Sequence, residues 1–214
     1  MTHSLHRMGS PEELKNDICF IFAPAKGINE AGSADKARRF LELVRKHGAV
    51  HYGDDLTGNV LTRGHQGLVA GARDLTNIHC VFSDVSRALA FLEDVVKADL
   101  GISVVMTGLF EQVGECCRAV GLQPHTVEYS MGIWGRRTLL PDEDTLKVTT
   151  MCGHGLVAAS LVAQAVKEVA AGKRRARWWA ERMARLCLCG IFNPDRAEML
   201  LQRMADSLRT SEGG

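Results

Sequence analysis

The chain of 214 residues lacks most of the features that would place it quickly. It has no run approaching the roughly 20 apolar residues that a membrane span requires, and Met1–Ser10 carries no apolar core of a secretory signal. It has no charge excess: 26 basic against 25 acidic side chains leave a formal net charge of +1. That balance gives no general reason to expect nucleic acid or an anionic membrane as a partner, so any basic feature must be local. Internal repeats, low-complexity tracts and the full glycine-rich phosphate-loop pattern are absent too, although Lys26-Gly27 follows the first strand-like run. Seven scattered cysteines, an odd number, argue against a disulfide framework and for reduced thiols in a cytoplasmic protein.

What is present is ordinary globular composition, 46% hydrophobic and 24% charged. Patterning predicts strands over 17–23, 77–82, 101–106, 125–131 and 145–150, and helices over 34–47, 84–97 and 110–120. The glycine-rich stretch 54–77 reads as short strands with a helical turn near 68–73. Alternation of this kind predicts an α/β sandwich with parallel strands joined by crossover helices, or an α+β ferredoxin-like arrangement with an antiparallel sheet. Beyond Met151 the texture turns helical, over 155–171, 176–186 and 194–208. The expected division is therefore an N-terminal sandwich over 1–148, an all-helical metal- or cluster-binding segment over 149–210 and a frayed tail over 211–214.

One constellation points to chemistry. Cys152-Gly153-His154-Gly155 is answered far along the chain by Cys187-Leu188-Cys189-Gly190. Three thiols and an imidazole are the ligands that borderline and soft metals take. Cys152, placed after a predicted strand and at the start of a helix, would feel the positive end of the helix dipole, which favours thiolate. Gly153 and Gly155 leave room for a cluster or an oxyanion. Cys187, Cys189 and His154 would complete the ligand set with Cys152, and Arg185 closes a cationic run that would offset an anionic cluster. Cys116 and Cys117 are adjacent on a helix, so one is expected in the core and Cys117 is a spare ligand.

Three thiolates suit a [4Fe-4S] cluster with one iron left open, and that is the favoured reading; three thiolates plus the imidazole suit a closed zinc site. An open iron acting as a Lewis acid would make the protein a lyase, a hydratase or a sulfur-handling or redox enzyme, with His154 as acid/base and a small-molecule substrate or redox partner. The alternatives are a zinc-stabilised accessory module without catalysis, and a metal-free enzyme centred on Cys152. Neither a nucleic acid nor a membrane is an expected partner, and a homo-oligomer is left open.

Met151-Cys152-Gly153-His154-Gly155 resembles the Met-Cys-Gly-His-Gly motif of the proline racemase family. The resemblance implies a cysteine acting as acid/base on a substrate α-carbon while backbone N–H groups hold a carboxylate. It covers five residues, and the second cysteine such enzymes need has only Cys189-Gly190 as a counterpart, so the chain is not assigned to that family. Other local features have plain readings: His65 and Arg63 in a glycine-rich loop, a solvated Asp54-Asp55 pair, and a hairpin over 132–137. Trp178-Trp179 cannot both face one way, so one belongs to the core.

Overall fold

A computed structural model describes residues 4–212. It begins with a single-turn helix, α1 (Pro11–Leu14), closed by a reciprocal capping box between Ser10 and Glu13. The first strand, β1 (Ile18–Ala23), is an almost continuous apolar run because both of its faces are covered. Helix α2 (Ser33–Lys46) buries Ala37, Phe40, Leu41 and Val44 at helical spacing and stops before Gly48, whose φ is +69°. The glycine-rich stretch resolves into β2 (His51–Asp54), the two-residue β3 (Gly58–Asn59) and α3 (Val60–Gly71). Then come β4 (Ile78–Phe82), α4 (Val85–Ala98) capped by Asp84, β5 (Ser103–Thr107) and α5 (Phe110–Ala119).

The sheet has five strands in the order β3-β2-β4-β1-β5, and every pairing is antiparallel. The parallel version of the predicted sandwich is therefore corrected to the antiparallel one. Two further strands expected from the sequence are not formed. Residues 125–131 carry strand-like alternation but make no ladder, and a strand without a partner leaves its backbone to solvent. Residues 145–150 belong instead to a helix, α6 (Glu143–Thr149). Asp142 caps it by accepting from the Thr145 amide at 2.9 Å, and Glu143 and Asp144 occupy its first turn. These start signals outweigh the strand preference of Thr145, Val148 and Thr149.

From α6 onward the described chain is helical: α7 (Ala159–Ala170), α8 (Ala176–Leu186) and α9 (Pro194–Glu212). Helix α9 runs two residues into the segment expected to fray, and Gly213–Gly214 lie outside the described residues. The period-2 rule of a strand sorts the core into two halves. Phe20, Phe22, Cys80 and Phe82 point to α2 and α4, where Phe91 stands 4.9 Å from Phe20 and 5.3 Å from Phe40 between ring centroids. Cys19, Ile21 and Val81 point the other way, onto α6 to α9. The sheet is thus the middle of three layers, and burying each large apolar side chain contributes about 1.5–3 kcal/mol.

Candidate functional site

The helical layer reaches the sheet through two loops, one between α6 and α7 and one between α8 and α9. Each contains one of the cysteine motifs, and the two motifs are built alike. In the first, the Gly155 amide donates to the Cys152 carbonyl at 3.0 Å, and Gly155 has φ +69°. In the second, the Gly190 amide donates to the Cys187 carbonyl at 3.0 Å, and Gly190 has φ +78°. Both are four-residue turns ended by a left-handed glycine, with a Cys or His side chain at the first and third positions.

The turns face each other. Cys187 and Cys189 stand 3.9 Å apart sulfur to sulfur, Cys189 Sγ is 3.7 Å from His154 Nδ1, and the Cys152 thiol hydrogen-bonds Cys187. The three cysteines are buried and His154 is exposed. Backbone amides of His154 and Leu156 donate to the Cys152 sulfur, and that of Phe192 donates to the Cys187 sulfur. Amide-to-sulfur bonds of this kind orient a thiolate toward a metal. Among the described residues, no group of three or more His, Cys, Asp or Glu side chains is placed so that it could hold a metal ion as they stand. The four form three sides of a ring.

The electrostatics differ from the sequence expectation. Cys152 does not open a helix; it follows the C-terminal end of α6, and α7 starts only at Ala159. The dipole there is the wrong end to favour thiolate. The Cys152 thiol is pushed well up, first by its hydrogen bond with Cys187 and then by burial. For Cys187 the bond from Cys152 is the largest influence and lowers the value, but the bond to Cys189 and burial prevail and push it up to about 12. Without a metal both are neutral thiols, and a metal would have to displace their protons.

The clamp that holds the two turns together was not legible in the sequence. Arg7, from the N-terminal arm, donates through Nη2 to the carbonyls of Ile191 and, at 3.4 Å, Met151, the residues flanking the two turns. Its Nη1 bonds both oxygens of Asp17 at 2.7 Å, and Arg196 reaches the same carboxylate at 2.8 Å. All three side chains are buried, so two guanidinium cations share one carboxylate where water cannot screen them. Asn193 caps α9 by accepting from the amides of Asp195 and Arg196, both at 3.1 Å, and donates to Asp17 at 3.0 Å.

Asn59 links two helix ends. Its Oδ1 accepts from the Leu61 and Thr62 amides at the start of α3, and its Nδ2 faces the carbonyls of Ala184, Arg185 and Cys187 at the end of α8. An Asn ahead of an apolar helical run is a capping signal, so this residue could have been found. Beside it, His51 donates Nδ1–H to the Phe192 carbonyl at 3.0 Å. Burial lowers its pKa to about 4, against the weaker opposing pull of Phe192 and Asn59.

The other expected residues lie elsewhere. Arg185 donates to the Leu61 carbonyl at 2.7 Å, toward α3. Gly153 is exposed on the first turn. Cys116 is in the core on the opposite face of the sheet, and Cys117 lines a cavity of about 560 Å³ between β5 and residues 122–130. Arg7 and Asp17 also border that cavity, so the ion pair separates it from the cysteine turns. His65 bridges Tyr52 at 3.2 Å and Glu42 at 2.9 Å, held by a break in α3 at Gly64. Comparison with family models, with curated proteins and with solved structures returned no match for the chain.

Proposed function

We propose that Cys152, His154, Cys187 and Cys189 hold one tetrahedral metal ion, with zinc the best fit, and that the ion fastens the helical layer to the sheet. The observation that carries this is the spacing of the ring. Bonds of about 2.3 Å to sulfur and about 2.0 Å to nitrogen in a tetrahedron put two sulfurs about 3.8 Å apart and a sulfur and nitrogen about 3.5 Å apart. The distances here are 3.9 and 3.7 Å. The paired turns and the amide-to-sulfur bonds support the same reading, and closing the cage asks only that exposed His154 and the Cys152 thiol turn inward.

A four-ligand site is coordinatively closed, so its role is structural and the protein is read as a zinc-stabilised module with a ferredoxin-like β-α-β-β-α-β unit under a helical layer. A [4Fe-4S] cluster on the same three thiolates, with an open iron and His154 as acid/base, is the competing reading. In a cluster each thiolate binds a different iron, which holds the sulfurs farther apart than two ligands of one ion. A metal-free thiol enzyme centred on Cys152 is the third.

Metal and labile-sulfide analysis of protein purified without oxygen, with an optical spectrum, separates the three. One zinc per chain, no sulfide and no colour, with loss of the metal in Cys187→Ser and Cys189→Ser, is the expected result. Brown protein with iron and sulfide would replace the single ion by a cluster, and colourless protein without metal would end both metal readings.

A further inference from the structure

The near-zero net charge of the chain conceals a strong local imbalance. Residues 173–185 carry six cations, Lys173, Arg174, Arg175, Arg177, Arg182 and Arg185, against the single carboxylate of Glu181. That surplus of five in a chain of formal charge +1 leaves the remainder negative by four. Arg177 is neutralised by Glu181, Asp195 and Glu198, and Arg185 is turned toward α3. Lys173, Arg174, Arg175 and Arg182 are exposed, and none has a carboxylate within ion-pair distance among the described residues.

At the centre of these charges is an exposed aromatic ring. Trp178 is 40% exposed, and the guanidinium carbons of Arg174 and Arg182 lie 4.9 and 5.4 Å from the ring centroid. Arg182 comes from one helical turn after Trp178, on the same face, and Arg174 reaches the ring from the α7–α8 corner just ahead of the helix. Trp179 is buried and meets Trp178 edge to face at 5.0 Å, which fixes the exposed ring against a rigid floor.

A cationic surface around an ordered stack of flat π-systems is the physical recipe for single-stranded nucleic acid: ring and guanidinium planes accept unpaired bases, and the remaining cations take the phosphates. We propose that the exposed face of α8 with the α7–α8 corner binds single-stranded nucleic acid through Trp178, Arg174 and Arg182, with Lys173 and Arg175 on the backbone. An acidic protein would need the cations but not the aromatic stack, and a duplex keeps its bases stacked away from the ring. This inference does not depend on the metal reading.

The test is fluorescence anisotropy of labelled dT and rU dodecamers titrated with the full chain as isolated. Binding in the micromolar range at 50 mM salt is expected, weakening about 50-fold at 200 mM if about four phosphates are contacted. Trp178→Ala should weaken it about tenfold and Arg174→Glu with Arg182→Glu should abolish it, with metal content and circular dichroism unchanged. No binding up to about 100 µM protein at low salt would overturn the proposal. So would equal affinity for a duplex of the same length, or equal binding of polyglutamate with Trp178→Ala indifferent; the last would reassign the face to an acidic protein.

Discussion

Gly155 and Gly190 form a controlled experiment that the protein already contains. They end two turns of the same construction, at φ +69° and +78°, but their surroundings differ completely. A Cβ on Gly155 would meet nothing within 4 Å, whereas one on Gly190 would stand 2.1 Å from the Tyr52 carbonyl carbon and 2.4 Å from the Gly53 nitrogen. Those atoms are β2 backbone and cannot rotate away. Gly155→Ala should therefore cost only the left-handed strain, about 1–2 kcal/mol. Gly190→Ala adds the overlap. To relieve it the second turn must lift from β2, which pulls the Phe192 carbonyl from His51, the Ile191 carbonyl from Arg7 and Cys189 from His154. Overpacking of about 1–3 kcal/mol and buried hydrogen-bond losses of about 1–3 kcal/mol bring the total to about 3–8 kcal/mol. That is a large part of the 5–15 kcal/mol by which a typical domain is stable. Urea unfolding of the two variants against the parent, with metal content measured in parallel, reads both effects. If Gly190→Ala proved no more destabilising than Gly155→Ala, the close seating of the second turn on the sheet would be wrong.

Three other outcomes follow from the same geometry. Arg7→Met leaves the Asp17 carboxylate with half its guanidinium partners and frees both turns, so a loss of about 3–5 kcal/mol in urea unfolding is expected, with reduced metal content if the proposed ion is bound; an unchanged midpoint would remove Arg7 as the clamp. Asn59→Ala removes the α3 cap and the donor to the α8 carbonyls together, about 3 kcal/mol, where loss of an ordinary cap alone would cost about 1 kcal/mol. His51 has its folded pKa depressed from 6.5 to about 4, so the unfolded chain takes up the proton first as pH falls. Its contribution is full above pH 6.5 and is lost between 6.5 and 4, up to about 3 kcal/mol, and His51→Gln should show a flatter stability profile in that window. Equal slopes for the two proteins would contradict a neutral buried imidazole.

Much of this architecture is written in local patterns. The alternation and periodicity around β1, α2, β4, α4, β5 and α5 reflect which side chains must leave water, and that requirement is the same before and after folding. The two cysteine-glycine segments also stood out in the sequence as pairs of Cys or His side chains one residue apart with a closing glycine, although the sequence alone did not show that both fold as turns. The errors have the same physical origin. Thr145-Leu146-Lys147-Val148-Thr149 has strand preferences, but the Asp142 cap and the acids of the first turn decide the matter, since a helix satisfies its own backbone while a strand must find a neighbour. Residues 125–131 had the pattern of a strand and no partner.

By itself, then, the sequence determined the elements with strong periodicity, the two cysteine-glycine segments as a pair and the presence of a cationic run around Trp178. Tertiary structure alone decided that the sheet is antiparallel, that the two distant turns face each other with their sulfur and nitrogen atoms under 4 Å apart, that a guanidinium from residue 7 ties them together, and which of six cations remain without a counter-ion among the described residues. Those outcomes depend on groups far apart in the chain meeting in three dimensions, and backbone hydrogen bonds, buried ion pairs and thiol-to-thiol spacings have no signature until the chain has closed the loops that bring them together.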